Sequence, residues 1–142
     1  AIEIAYQNFD TYNQKLLNLR EDYIKQIEEK IPLVQLNGDR VKRLPGNANF
    51  SFLFVEGEQF LLKLDEKGIC VSTGSACSSG SSAPSHVLLA IGLEKQASQG
   101  TIRVTIGDDI DYLVNCLVEV VEELRKANPE YQAFINKEKD RK

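Results

Sequence analysis

An α+β fold is predicted for this 142-residue chain, with a small mixed or antiparallel sheet packed against helices and one long N-terminal helix. Two observations predict it. Apolar residues recur at steps of three and four over residues 2–31 and 110–124, the period of a one-sided helix. Between them, short β-branched and aromatic runs alternate with helical ones across brief connections, with no repeat period.

The elements follow in order. Ile2, Ala5, Phe9, Tyr12, Leu16, Leu19, Tyr23, Ile27 and Ile31 draw one stripe that Pro32 ends. No convincing N-cap precedes Ile2, so the helix is expected to begin inside something larger. Leu33 to Leu36 is a short strand closed by the turn Asn37-Gly38. A second turn, Leu44 to Asn47, leads into the central strand Asn49 to Val55. Glu56 and Glu58 open a helix through Phe60, Leu61, Leu62 and Leu64, and Gly68 caps its end. Ile69-Cys70-Val71 is a short strand. Pro84-Ser85 precedes a helix from His86 to Ile91. In the strand Thr101 to Ile106, Ile102, Val104 and Ile106 face the core, leaving Thr101, Arg103 and Thr105 on the other side. Asp108 and Asp109 open the last apolar-striped helix, and Pro129 follows it.

Composition narrows the function. Seventeen Lys and Arg against 21 Asp and Glu give a net charge of −4 and no basic stripe, which argues against nucleic-acid binding. The tail mixes Lys137, Lys139, Arg141 and Lys142 with Glu138 and Asp140, a solvated end. No apolar run has the length of a membrane span. Three cysteines without Cys-x-x-Cys spacing predict neither a disulfide framework nor a metal site, and a reducing cytoplasm is the expected setting.

Cys77 is the outstanding candidate for chemistry. It lies in Ser72-Thr73-Gly74-Ser75-Ala76-Cys77-Ser78-Ser79-Gly80, where residues of almost no side chain cannot bury a thiol that ordinarily prefers burial. Sulfur chemistry explains it better than packing, although a polar linker with an incidental cysteine is the plainer alternative. Cys70 and Cys116 sit in apolar segments and are expected in the core. His86, the only histidine, is a nucleophile's partner or a structural group at a helix start. Arg103 either offers its planar fork to a carboxylate or simply solubilises a strand.

Several segments in order resemble a known family: Arg43-Leu44-Pro45-Gly46-Asn47, Phe50-Ser51-Phe52, Val55-Glu56-Gly57-Glu58, Ser72-Thr73-Gly74-Ser75-Ala76-Cys77, Pro84-Ser85-His86-Val87-Leu88 and Thr101-Ile102-Arg103. The chain resembles the C-terminal small domain of pyridoxal-phosphate-dependent cysteine desulfurases of the NifS/IscS type, which have the class V aminotransferase fold. The cysteine loop resembles that of the long-loop branch.

That resemblance implies specific roles. Cys77 would attack the sulfur of the substrate cysteine and carry it as a persulfide, with alanine released. Arg103 would hold the substrate's α-carboxylate. Gly74, Ser75, Ala76 and Gly80 would form the moving catalytic loop, with His86 a possible further member. The family's pyridoxal phosphate sits on a lysine in a preceding large domain, and the Ser-x-His-Lys setting of that lysine is absent here. No cofactor is therefore expected on this chain, which alone would be inactive.

The domain is expected to span residues 1–127, followed by a polar extension at 128–142 without a family counterpart. Implied partners are the chain's own large domain and a sulfur acceptor such as an iron–sulfur scaffold, with the full-length enzyme a homodimer. Only Asp108 and Asp109 separate Gly107 from the last helix, where the family has a longer Thr- and Glu-containing connection. Residues missing from the sequence there are expected rather than a shortened loop, which would strain the helix start. A non-catalytic sulfur-relay module and a Cys-His hydrolase are the other functional classes.

Overall fold

Four strands form one sheet in the order β1-β2-β4-β3: β1 (Val34–Leu36), β2 (Asn47–Phe52), β4 (Thr101–Thr105) and β3 (Ser72–Thr73). Every pairing is antiparallel. The computed structural model describes residues 2–73 and 85–140. Strict alternation gives the sheet two different faces. Ala48, Phe50, Phe52, Ile102 and Val104 are buried on one of them. Against that face pack α2 (Phe9–Lys30), with Tyr23, Ile24 and Ile27, and α6 (Ile110–Ala127), with Val114, Leu117, Val120 and Val121.

The long N-terminal helix is interrupted. A short α1 (Ile2–Gln7) gives way to α2 at Asn8, whose side-chain amide donates to the Ile4 carbonyl at 3.1 Å. Asparagine competes for backbone in this way and weakens a helix locally. The apolar stripe is likewise divided: Tyr23, Ile24 and Ile27 are in the core, whereas Ile2, Phe9 and Tyr12 are exposed.

Glu56 caps α3 (Gly57–Asp65) with its side chain, accepting from Glu58 N at 3.1 Å and Gln59 N at 2.9 Å. At the far end Gly68 takes a left-handed φ of 73°. Its N–H meets the Asp65 carbonyl and the Ile69 N–H the Leu64 carbonyl, the Schellman pairing. The cap claims Ile69, so β3 starts later than the predicted 69–71. Ile69 and Val71 still pack on the core. Cys70, expected in the core, is exposed, because it lies in the connection between the α3 cap and β3, where Ile69 and Val71 take the core contacts. Cys116 is buried.

Two helices were not expected from the sequence. α5 (Lys95–Gln99) follows α4 (His86–Ala90), and α7 (Pro129–Lys139) follows α6. Pro129 begins α7 rather than merely ending α6, since its fixed φ suits a first helical turn. Asn128 caps it through Glu130 N and Tyr131 N. Phe54 stacks on Tyr131 and Phe134 with ring centroids 5.6 and 5.3 Å apart, which docks α7 on the domain. The two-residue connection into α6 carries its own cap, with Asp109 Oδ1 accepting from Tyr112 N at 3.1 Å.

Two non-glycine residues, Leu33 at φ 57° and Phe54 at φ 63°, adopt the left-handed region, at about 1–2 kcal/mol each. Buried Arg125 stabilises both bends, donating to the carbonyls of Pro32, Leu33 and Leu53. Gly100, between α5 and β4, lies against the carbonyls of Phe52 and Val55, and a Cβ there would overlap the Phe52 oxygen.

Candidate functional site

The second face of the sheet is polar and centres on Arg103. Cross-strand register sets Asn47 opposite Thr105, Asn49 opposite Arg103 and Ser51 opposite Thr101. On the other side of β4, Ser72 stands opposite Arg103. A row Asn49–Arg103–Ser72 therefore crosses three strands. Directly paired side chains have Cβ atoms about 4.5–5.5 Å apart. Arg103 is exposed and has no hydrogen bond or ion pair among the described residues. The strands carry no Asp or Glu, so the guanidinium has no resident counter-ion on its sheet.

One end of this face is fixed by a buried relay. Asn37, 6% exposed, donates from Nδ2 to Asn49 Oδ1 at 2.7 Å and to Ser51 Oγ at 2.8 Å. Ser51 Oγ lies 2.7 Å from Thr101 Oγ1, which meets the Ala97 carbonyl. The directions are mutually consistent: Asn37 to Ser51, Ser51 to Thr101, Thr101 to Ala97. Asn37 Oδ1 is buried without a partner. The turn holding Asn37 is clamped by Arg43, which donates to the carbonyls of Asn37 and Asp39. Desolvation lowers the pKa of Arg43.

The residues singled out from the sequence fall into three groups. Arg103 lies on the polar face as its alternation predicted. His86 begins α4, exposed and without a partner among the described residues; Ser85 before it makes no side-chain cap. Cys77, with Gly74, Ser75, Ala76 and Gly80, lies outside the described residues. Asn49 and Ser72 were not singled out as site residues. The alternation in Asn47-Ala48-Asn49-Phe50-Ser51-Phe52, whose polar residues occupy every second position, placed Asn49 on a polar face but did not place it beside Arg103, and it says nothing of Ser72.

A lone guanidinium among neutral donors is suited to binding a carboxylate. No lysine stands on any of the four strands, so this face offers anion donors but no amine to condense with an aldehyde. Among the described residues no cluster of His, Cys, Asp and Glu could hold a metal ion, and no helix is long and apolar enough to cross a membrane.

Fold and face together define a sheet-and-helix domain that sets an exposed arginine between the neutral side chains of Asn49 and Ser72. Residues 1–111 match the aminotransferase class V family, and the chain belongs to that family. It is similar to a cysteine desulfurase IscS of Clostridium botulinum strain Hall, 47% identical over 146 residues covering 97% of this chain and 37% of the relative. A cysteine desulfurase IscS of Dictyoglomus turgidum is 46% identical over 143 residues, covering 96% and 36%. A NifS-like protein from Rickettsia africae ESF-5 shares the fold, with a TM-score of 0.66 and 24% identity over 84% of this chain and 31% of that one. The chain thus spans little more than a third of the curated relatives it matches.

Proposed function

We propose that this chain is the small domain, residues 1–127 with a C-terminal extension at 128–142, of a cysteine desulfurase. In it Arg103 holds the α-carboxylate of L-cysteine and Cys77 receives the sulfur. The observation that carries this reading is the pairing of Arg103, free of any counter-ion among the described residues, with Ser72. Cys77 lies five positions after Ser72, and a stretch of that length spans at most about 18 Å. The thiol is thereby leashed to the arginine.

In the proposed reaction the Cys77 thiolate attacks the substrate sulfur. An S–S bond forms and the substrate's Cβ–S bond breaks. The Cβ keeps the bonding pair and takes a proton, so L-cysteine and a thiol become L-alanine and an enzyme persulfide. Gly74, Ser75, Ala76 and Gly80 are the loop that lets the sulfur be passed on, and His86 is a candidate proton carrier near it. Family membership implies pyridoxal phosphate in the full-length enzyme. The strands here carry no lysine and do not fit as its holder, so we place it in the remainder of the polypeptide and expect this chain alone to be inactive. The persulfide is handed to a sulfur-acceptor protein such as an iron–sulfur scaffold, in a cytoplasmic homodimer.

The test uses the full-length enzyme. Cys77→Ala is expected to abolish the enzyme-bound persulfide and sulfide release with cysteine, without lowering the thermal midpoint. Undiminished persulfide in the variant would overturn the assignment.

A further inference from the structure

We infer that Asn49 is a second carboxylate-binding residue beside Arg103, and that buried Asn37 is the positioning residue that aims it. The inference rests on the proposed role of Arg103. It begins from an amide whose two ends are distinguished. Asn37 Nδ2 donates to Asn49 Oδ1 at 2.7 Å, which commits the Asn49 oxygen to the interior. The Asn49 Nδ2 group is left without a partner among the described residues, on a half-buried side chain directly opposite Arg103. Asn37 cannot easily turn round, because the same Nδ2 also donates to Ser51 Oγ and its backbone N–H to the Asn49 carbonyl at 2.9 Å.

The chemistry of the ligand matches this arrangement. An ionised carboxylate presents two oxygens with about four lone-pair sites and no donor. A guanidinium fork fills two of them. The others need neutral donors, since a further cation would have to be desolvated with the ligand. Asn49 Nδ2 on β2 and the Ser72 hydroxyl on β3 flank Arg103 in register and supply that type of donor. With Arg103, they select a carboxylate over an uncharged amide of the same shape, because the guanidinium fork has no anion to meet when the amide binds.

The experiment measures binding of L-alanine, the non-reacting carboxylate product, to the full-length holoenzyme by calorimetry. Asn49→Ala is expected to weaken L-alanine about tenfold, the usual worth of a hydrogen bond to a charged group. Arg103→Leu is expected to weaken it at least as much. Asn37→Asp replaces the inward donor by an acceptor, turns the Asn49 oxygen toward the ligand, and is expected to weaken L-alanine to a similar degree. Asn37→Asp combined with Asn49→Ala is expected to be no worse than either alone, a non-additivity that a merely structural role would not give. If Arg103→Leu weakens L-alanine but Asn49→Ala leaves it within twofold, the role of Asn49 is overturned and that of Arg103 stands. If Arg103→Leu has no effect, the reading of the whole face falls. Should Asn37→Asp not fold, Asn49→Ala against Arg103→Leu decides the role of Asn49, and Asn37→Leu, which keeps the volume without the donor, decides that of Asn37. Unchanged affinity in that variant would overturn its positioning role.

Discussion

Arg125 donates from Nη1 to the Pro32 carbonyl across 2.7 Å, joining α6 to the second residue after α2 through partners 93 positions apart. Its other two bonds, to Leu33 and Leu53 at 3.0 Å each, close a clasp over both left-handed bends. Arg125→Met fills a similar volume but leaves three carbonyls without their donor. The expected loss is about 3 kcal/mol, because buried acceptors deprived of a charged donor forfeit their desolvation energy. Urea denaturation of wild type and variant measures it, and a loss below about 1 kcal/mol would show that water replaces the guanidinium.

Tyr23 is the converse case, a polar atom that the core does not use. Its ring packs edge-on against Phe50 with centroids 6.0 Å apart, while its hydroxyl is buried without a partner. Tyr23→Phe keeps the ring and removes the orphan, and is expected to raise stability by about 1 kcal/mol. Burial also pushes the phenol pKa far above its ordinary value. A group whose folded pKa is raised contributes stability that is full below its unfolded pKa and is lost above it. Wild-type stability should therefore fall with pH above about 10, and Tyr23→Phe should lack that part of the fall. A variant less stable than wild type at neutral pH would mean that the hydroxyl is bonded after all.

Asp39 governs the turn that carries Asn37. Its carboxylate accepts from Lys42 N at 2.7 Å and Val41 N at 2.8 Å, and these bonds lower its pKa below the ordinary carboxylate value. A depressed folded pKa gives a contribution present above the unfolded pKa, near 3.9, and lost as pH falls through the folded one. The Val41 and Lys42 amide resonances should hold constant down to about pH 4 and shift together below it. A shift centred above pH 5 would contradict the bonding, and Asp39→Asn should abolish the shift.

The two faces of the sheet were legible because β4 alternates without exception: Ile102 and Val104 inward, Thr101, Arg103 and Thr105 outward. Arg103 could therefore be singled out from its own strand. Asn49 could be put on a polar face by its own strand but not beside Arg103, because that closeness depends on the β2–β4 register, which joins residues fifty or more positions apart. Cys70 was misjudged by composition, its apolar neighbours implying burial although only Ile69 and Val71 pack on the core and Cys70 is exposed between them. The break at Asn8 was hidden beneath a stripe that continues across it. The helical C-terminal segment was hidden by a proline that marks a beginning as readily as an end. Arg125 gave no local sign at all, since a clasp on backbone carbonyls depends on where the chain returns and not on which residues it passes.

Gly100 limits what sequence change this architecture can absorb. Every single-nucleotide change of a glycine codon that replaces glycine by another amino acid brings in a Cβ, and here that atom would meet the backbone oxygens of Phe52 and Val55, which no neighbouring side-chain change can move aside. The position is consequently cut off from its mutational neighbours. Drift in the adjoining sheet can exchange one apolar residue for another, but this point of the chain has an alphabet of one letter.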